Sequence, residues 1–403
     1  MSFSFFKILR PKTPPEVAKS IKDSLMALDT KTVVEALEEV EKNFVTMRCM
    51  LSGDGESEPN VDQVSQLVEE VCKGDIIALI IHKLPVLGWE ARKDLIHCWS
   101  ILLKQKVDSK YCCVEYIEQH PELLDFLVVC FNCNHAADAS GDVGIAMLAL
   151  HSYDNKEIAL NCGIMLRECI KFPALAKYLL ESPSFELFFK FVELPNFDVA
   201  SDAFSTFKDL LTKHGKLVSE FLADHYSEFF DLYEKILTST NYVTRRQSLK
   251  ILSEFLLEAP NSPIMKRYIQ EVRHLKVMMT LLKFIQNAHL THTTMSLAFE
   301  IIVLFMLSRH PMYVFVANPN KPRDVKFILT KNREKLLELL HNLSPGKGSE
   351  DEQFEEEKEF IIQEIERVSA NHSLSCSLER IIIDDPPDVL SNPIATELRI
   401  DVT

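Results

Sequence analysis

The chain has 403 residues, of which 47% are hydrophobic and only 10 are glycine, a composition that favours a helical core and disfavours Gly-rich phosphate loops. Its formal net charge of −15 excludes non-specific nucleic-acid binding, because phosphates would be repelled. The 10 cysteines show no disulfide framework, and the longest apolar run, 297–307, is shorter than the roughly 20 residues of a membrane span. We therefore expect reduced thiols and a cytoplasmic protein with no stable membrane insertion.

The N-terminal quarter of the chain has apolar residues at helical spacing. From Pro14 to about Leu51 this spacing predicts two helices, and residues 52–60 read as a loop. Helical patterning resumes at Val61 and continues through Leu103. We expect this end to cap an array of repeats, with Trp89 and Trp99 as core or lid residues.

A helical phrase that begins with an aromatic or branched residue then recurs along the chain. Its five copies begin at Tyr116, Tyr178, Phe221, Tyr268 and Ile328. Successive starts differ by 62, 43, 47 and 60 residues, so two steps match the period of roughly 40–47 residues of armadillo and HEAT repeats. A repeat of this length cannot bury its apolar face alone, and its neighbours must stack on it.

A second phrase gives the same period independently. It opens with Asn155, Asn196 and Asn241, at steps of 41 and 45 residues, and asparagine is a good N-cap residue. We interpret this phrase as the third helix of each repeat. The predicted fold is an all-α, armadillo/HEAT-like helical-repeat solenoid, a right-handed superhelix whose third helices line a concave groove.

The two long steps predict insertions at about 131–152 and 284–313 within a repeat domain that spans residues 1–343. Residues 344–368 are predicted to form a linker and an acidic C-terminal helix, and residues 369–403 a disordered tail. The two repeated sequence motifs stop abruptly at the insertions and at the tail. We interpret them as functional segments or as splice-derived or gene-model segments, and the sequence leaves this choice open.

The sequence motifs that could indicate a metal site or a phosphate-binding loop are weak. Cys130, Cys133 and His135 have C-x-x-C spacing with a nearby histidine, but a structural zinc site needs four ligands, so inserted loop cysteines are the favoured interpretation. Residues 345–349 resemble half a phosphate loop without the preceding strand. We expect no enzyme activity, no cofactor and no metal site.

One stripe of residues stands out on the predicted third helices. Tyr242, Arg246 and Lys250 are spaced by four, so they lie on one helix face, and Phe197 is the counterpart of Tyr242 one repeat earlier. Aromatic and cationic side chains along a groove suit a protein partner with aromatic and acidic groups. An ordinary solvated helix surface is the alternative.

The phrases at 157–170, 197–211, 241–250 and 314–321 closely resemble the Mo twenty-five family, also called calcium-binding protein 39-like. The resemblance covers about Met1 to Val368 outside the two insertions, and it looks closest to plant members in stretches such as 321–325. It implies a non-catalytic helical-repeat scaffold that binds and allosterically activates protein kinases or pseudokinases, and no calcium site is apparent despite the name.

The resemblance also implies partners and sites. The partners are kinases of Ste-twenty or germinal-centre type, or an NDR-type kinase network, in signalling, cell polarity or morphogenesis, with this chain as a monomer within a hetero-complex. Phe197, Tyr242, Arg246 and Lys250 match kinase-binding positions on the concave face. A pocket for a partner's C-terminal tail is implied by Met279, Lys331 and Lys335, and the second insertion lies beside it.

An alternative function is an importin-like or other armadillo peptide-binding transport adaptor. Such a protein would carry a ladder of tryptophan and asparagine on successive third helices. This chain has two tryptophans, Trp89 and Trp99, and we expect both outside those helices.

Overall fold

The computed structural model describes residues 12–29, 33–53, 58–130, 155–287, 315–341, 355–356 and 358–370. Across these residues the regular structure is helical, apart from an isolated antiparallel bridge between Val107 and Lys110. The predicted all-α helical-repeat class is therefore confirmed. The chain divides into two compact units, unit 1 at Met1–Met265 and unit 2 at Lys266–Thr403.

Unit 1 is built from short helices joined by tight turns. In chain order its helices are α1 (Pro14–Ala27), α2 (Val33–Ser52), α3 (Val61–Lys73), α4 (Ile76–Lys83), α5 (Trp89–Lys104), α6 (Cys112–Gln119), α7 (Glu122–Cys130), α8 (Asn155–Ile170), α9 (Pro173–Glu181), α10 (Leu187–Phe191), α11 (Phe197–Thr212), α12 (Gly215–Asp224), α13 (Tyr226–Leu237) and α14 (Tyr242–Leu257). Short 3-10 turns lie at Leu84–Val86, Pro183–Glu186 and Ala259–Asn261. Helix α15 (Ser262–Tyr268) contains the boundary between the units.

In unit 2 the described helices are α16 (Val272–Asn287), α17 (Arg323–Lys331), α18 (Arg333–His341) and α19 (358–370). Helix α16 packs on α17. Lys321 joins the turn before α17 to α19, because its buried ammonium donates to the Asn318 carbonyl at 2.8 Å and to Glu364 Oε1 at 2.5 Å. This buried ion pair fixes the C-terminal helix of the unit.

The starts of two third helices are set by the asparagines that the sequence singles out. Asn196 Oδ1 accepts hydrogen bonds from the backbone N–H groups of Asp198 and Val199, and Asn241 Oδ1 accepts one from Val243. These bonds satisfy N–H groups that have no partner within the helix. The predicted N-caps at these two positions are confirmed.

Five helices form a stack that we call the helix row: α2, α5, α8, α11 and α14. Each packs on the next one in this order. The last three begin at the second phrase of the sequence. The predicted third helices of unit 1 are therefore neighbours in space, and corresponding residues on them lie side by side.

An aromatic core lies beneath the C-terminal part of the helix row. Phe207 of α11 is fully buried, with its ring centroid 5.0 Å from that of Phe189 and 6.2 Å from that of Tyr233. Phe255 of α14 lies 5.6 Å from Tyr233 in the same way. Buried rings of this size make a large hydrophobic contribution, and they fix α11 and α14 against the helices behind them.

The first repeated phrase corresponds to a corner between two helices. Its copies lie where α6 is followed by α7, α9 by the turn before α10, α12 by α13, α15 by α16 and α17 by α18. In two copies the opening tyrosine is tied to an aspartate of an earlier part of the chain: the Tyr116 hydroxyl donates to Asp75 Oδ1 at 3.1 Å, and that of Tyr178 donates to Asp125 Oδ2 at 2.5 Å. The phrase thus marks a helix end, a turn and the next helix start.

Several sequence predictions fall outside the described residues. These are the first insertion at 131–152, including Cys133 and His135, nearly all of the second insertion, the linker at 344–354 and the tail beyond residue 370. Helix α16 continues to Asn287, past the expected start of the second insertion at residue 284. Within the described ranges, no helix is both long and apolar enough to cross a membrane.

Candidate protein-interaction site

The two aromatic residues of the predicted stripe occupy equivalent positions on neighbouring helices. Phe197 is the first residue of α11 and Tyr242 the first residue of α14, and each follows its asparagine cap. The Phe197 side chain is 65% exposed, an unusual state for a large apolar ring, whereas Tyr242 is half-buried. The structure thus confirms their equivalence and shows Phe197 exposed to solvent.

The start of α14 is held firmly in place. The Thr244 hydroxyl donates to the Val192 carbonyl at 3.1 Å, and the Asn241 N–H donates to Ser239 Oγ at 3.0 Å. The Ser239 hydroxyl in turn donates to Glu193 Oε2 at 2.9 Å. Tyr242 therefore projects from a backbone that several hydrogen bonds fix, which is the pre-organisation that binding sites need.

The two cations of the stripe continue along α14. Arg246 and Lys250 follow Tyr242 at intervals of four residues on the same helix, so the three share a face. Arg246 is half-buried and Lys250 is exposed. Lys250 forms no ion pair with any residue in the described ranges, and its charge is therefore available to a partner.

Other charged side chains of the row helices form ion pairs with the neighbouring helix. Ion pairs join each helix of the row to the next: Arg48–Asp94 at 3.0 Å, Arg92–Glu157 at 3.1 Å, Lys104–Glu168 at 3.6 Å, Lys156–Asp198, Arg167–Asp202 at 2.7 Å and Lys208–Glu254 at 2.7 Å. The Arg167 side chain is only 22% exposed and also donates to Thr206 Oγ1 at 2.9 Å. These pairs set the register between neighbouring helices, and no sequence pattern indicated them.

Both tryptophans lie outside the three helices that begin at the second phrase, as the sequence predicts, but they lie within the helix row. Trp89 and Trp99 are both on α5, which packs between α2 and α8 in the helix row. Trp99 is fully buried, and its Nε1 donates to the Met165 carbonyl at 3.2 Å. Trp89 opens α5 and is 55% exposed, and the Lys93 ammonium lies 5.1 Å from its ring centroid.

Trp89 was missed as a site residue because α5 begins after Gly88 and not after asparagine. It is the first residue of its helix, as Phe197 and Tyr242 are of theirs. Exposed or half-exposed aromatic residues thus open three of the five row helices. This repetition could have been found by aligning helix starts instead of asparagines.

The second predicted group of residues lies in unit 2. Met279 is half-buried on α16, whereas Lys331 ends α17 and Lys335 lies in the first turn of α18, both exposed. Phe327, one turn before Lys331 on α17, is 54% exposed and shares its helix face. The structure thus places the three predicted residues on successive described helices and adds an aromatic residue that the sequence did not single out.

Packing around α16 rests on a buried histidine. His274 is fully buried near the start of this helix, and its ring stacks on that of Tyr268, with centroids 3.9 Å apart and planes 11° apart. Burial lowers the pKa of His274 to about 3. The imidazole is therefore neutral at physiological pH and acts as a packing group beneath the helix that carries Met279.

A metal centre is not supported in the described ranges, where no cluster of three or more histidine, cysteine, aspartate or glutamate side chains is arranged to hold an ion. The arrangement that remains is an exposed aromatic and cationic surface on a rigid helical scaffold. Such a surface can bind another protein.

Comparison with known proteins matches residues 3–369 to the family described as Mo25-like. The chain belongs to the Mo25-like family. A human protein named calcium-binding protein 39-like is 39% identical over 356 residues, covering 88% of this chain and 94% of its own length. A Mo25-like protein of Schizosaccharomyces pombe is 37% identical and covers 91% of this chain and 100% of its own length.

Plant proteins are also among the Mo25-like relatives. A putative MO25-like protein of Arabidopsis thaliana is 35% identical over 366 residues, covering 88% of this chain and 95% of its own length. This identity is no higher than that of the human and yeast proteins. Mo25-like membership extends over both units and supports a scaffold-like role for the chain.

Proposed function

We propose that this Mo25-like chain is a non-catalytic scaffold that binds and allosterically activates a protein kinase or pseudokinase of Ste-twenty or germinal-centre type in the cytoplasm. The observation that carries the proposal is the stripe of Phe197, Tyr242, Arg246 and Lys250 at the C-terminal end of the helix row, in which Phe197 and Lys250 are exposed and the other two are half-buried. The resemblance to the Mo twenty-five family supplies the class of partner. The scaffold acts as a monomer within a hetero-complex, in signalling that governs cell polarity or morphogenesis.

Charge distribution supports a binding role for this stripe. The chain carries a net charge of −15, and ion pairs between neighbouring helices neutralise much of the row. Lys250 is exposed beside Arg246 and has no ion-pair partner in the described part of the chain. A cationic patch attracts an acidic partner surface and repels a basic one.

The aromatic side chains supply the apolar part of the contact. Tryptophan, tyrosine and arginine dominate the binding energies of protein interfaces, and a ring that is already exposed requires no conformational change to bind. Phe197 and Tyr242 occupy one end of the stripe and the cations extend from it along α14. Trp89, at the start of α5, extends the candidate surface along the helix row.

The proposed mechanism is a shift in the partner's conformational equilibrium. If the helix row binds the active-like arrangement of a kinase fold more tightly than the inactive one, the difference in binding free energy appears as activation. A difference of about 1–3 kcal/mol raises activity by about 5–150-fold. The scaffold needs no catalytic group for this.

The residues of unit 2 would hold a separate part of the partner. Met279 and Phe327 offer apolar surface, and Lys331 and Lys335 offer positive charge. This chemistry suits an extended tail that carries aromatic and acidic residues. The two sites together would raise the effective concentration of each contact for the other.

The proposal is tested by co-purification and activation of a Ste-twenty-type kinase with the full chain. We expect Lys250→Glu to reduce kinase recovery and activation, and Arg246→Ala combined with Met279→Ala to abolish both. Lys235→Glu is the matched control, because Lys235 is an exposed lysine on the neighbouring helix α13 and not on α11 or α14.

Circular dichroism establishes that each variant remains folded. Equal recovery and equal activation for the unaltered chain and for all variants would refute the site assignment. If no kinase of this class is recovered even with the unaltered chain, the proposed partner class is wrong.

A further inference from the structure

Two thiols from different helices are in contact in unit 1. Cys72 lies in the last turn of α3 and Cys113 in the first turn of α6, and their Sγ atoms are 3.5 Å apart. Helices α3 and α6 pack against each other. Because a disulfide bond is about 2.05 Å long, the sulfurs need to approach by about 1.5 Å, which small movements at two helix ends can supply.

The two thiols differ in exposure and acidity. Cys72 is half-exposed, whereas Cys113 is buried. The hydrogen bond from Cys113 lowers the pKa of Cys72, although burial opposes this effect, and the same contact together with burial keeps the pKa of Cys113 well above its usual value. Cys72 is therefore the accessible nucleophile and Cys113 the neighbour that stays protonated until it reacts.

A second contact holds the same two elements together. The Tyr116 hydroxyl of α6 donates to Asp75 Oδ1, just after the end of α3, at 3.1 Å. Beside the thiols, Lys73 pairs with Glu69 at 2.7 Å, so the nearby lysine charge is already balanced. The thiols thus meet at a contact that is stable in the reduced chain.

We propose that Cys72 and Cys113 are a reversible redox modification site, at which hydrogen peroxide forms a disulfide bond between helices α3 and α6. The Cys72 thiolate attacks one peroxide oxygen, the O–O bond breaks, and the departing hydroxide takes up a proton to become water. Cys72 is now a sulfenic acid. The Cys113 sulfur attacks the Cys72 sulfur, the S–O bond breaks, and the Cys113 proton leaves with the oxygen as a second water.

The net reaction consumes two thiols and one peroxide and gives one disulfide and two waters, and a dithiol reductant reverses it by thiol–disulfide exchange. Helix α6 also packs on α5, which carries Trp89. A covalent bond at Cys113 would therefore stiffen the N-terminal end of the helix row. This inference is independent of the proposed kinase partner.

The test treats the folded full chain with hydrogen peroxide, blocks free thiols and identifies linked tryptic peptides by mass spectrometry without reduction. One tryptic peptide holds both Cys49 and Cys72, and the other holds Cys113 with three further cysteines. Single substitutions are therefore needed to assign the bond. Cys49→Ser and Cys112→Ser are matched controls, because both thiols are half-exposed and each shares a peptide with one member of the pair.

We expect the linked peptides in the unaltered chain and in both controls, their loss in Cys72→Ser and in Cys113→Ala, and their disappearance on treatment with dithiothreitol. Cys72 is half-exposed, so Cys72→Ser remains informative if Cys113→Ala fails to fold. The proposal is overturned if peroxide links no peptides in the folded chain, or if the link persists in Cys72→Ser or in folded Cys113→Ala.

Discussion

The burial of His274 predicts that unit 2 loses stability as the pH falls below neutrality. Burial and, to a smaller extent, the charges of Arg273 and Arg267 together lower the pKa of this histidine to about 3. Glu271 Oε2 lies 3.4 Å from His274 Nε2 and opposes this effect. The Glu271 carboxylate also pairs with both arginines, at 2.9 Å from Arg273 Nε and 3.3 Å from Arg267 Nε. Its negative charge is therefore largely neutralised and raises the pKa of His274 little.

The sign and size of the effect follow from linkage. In the unfolded chain the imidazole has a pKa of about 6.5, so below that pH the unfolded state binds a proton that the folded state does not. Stability is therefore lost as the pH falls from about 6.5 towards about 3. At about 1.36 kcal/mol for each pH unit, the loss is about 2 kcal/mol at about pH 5 and about 4 kcal/mol at about pH 3, where half of the folded molecules are also protonated.

Hydrogen exchange of the α16 amides, corrected for intrinsic rates, measures this local opening free energy in the full chain at about pH 7 and about pH 5. His274→Phe keeps a ring on Tyr268 but cannot titrate, and we expect it to remove this pH dependence. His225→Phe is the control at an exposed histidine of unit 1 and should leave the dependence intact. An opening free energy that is equal at both pH values, or an unchanged pH dependence in His274→Phe, would show that His274 does not control the stability of α16.

Two further substitutions test the packing of each unit. Phe207→Ala removes a fully buried ring 5.0 Å from that of Phe189, and it should lower the free energy of unfolding by about 3–5 kcal/mol in urea; a loss below about 1 kcal/mol would contradict the aromatic core. Glu364→Gln removes a carboxylate whose pKa is lowered to about 2, first by Arg367 and then by Lys321. That stability is present above the unfolded-state pKa of about 4.3 and is lost as pH falls towards about 2. Because the Lys321 ammonium is buried against this carboxylate, we expect Glu364→Gln to cost about 3–5 kcal/mol at neutral pH and to flatten the acid limb of α19 exchange, and an unchanged acid limb would contradict this.

Local chemistry made part of the structure predictable. Asn196 and Asn241 act as caps because their short side chains reach the backbone N–H groups of the next turn, a rule that needs no knowledge of the fold. The spacing of Tyr242, Arg246 and Lys250 places them on one face of any helix that contains them. This spacing, which needs no knowledge of the fold, was enough to propose the stripe as a binding site.

Contacts between helices could not be predicted in this way. The Arg167–Asp202 pair joins residues 35 positions apart, and its existence depends on how α8 lies against α11. Trp89 was missed because its helix starts without the repeated asparagine, although the helix occupies a place in the same row. Contacts between side chains of neighbouring row helices can be predicted only once the register between the helices is known.

The proposed function requires that the stripe on α11 and α14 bind a kinase domain. A titration of a purified Ste-twenty-type kinase domain with the full chain measures the dissociation constant directly. We expect Phe197→Ala combined with Arg246→Ala to weaken binding by about 1,000-fold, because each substitution removes an interface contact expected to contribute about 2 kcal/mol. Lys235→Ala should leave the affinity unchanged; an unaltered dissociation constant in the folded double variant would contradict the account.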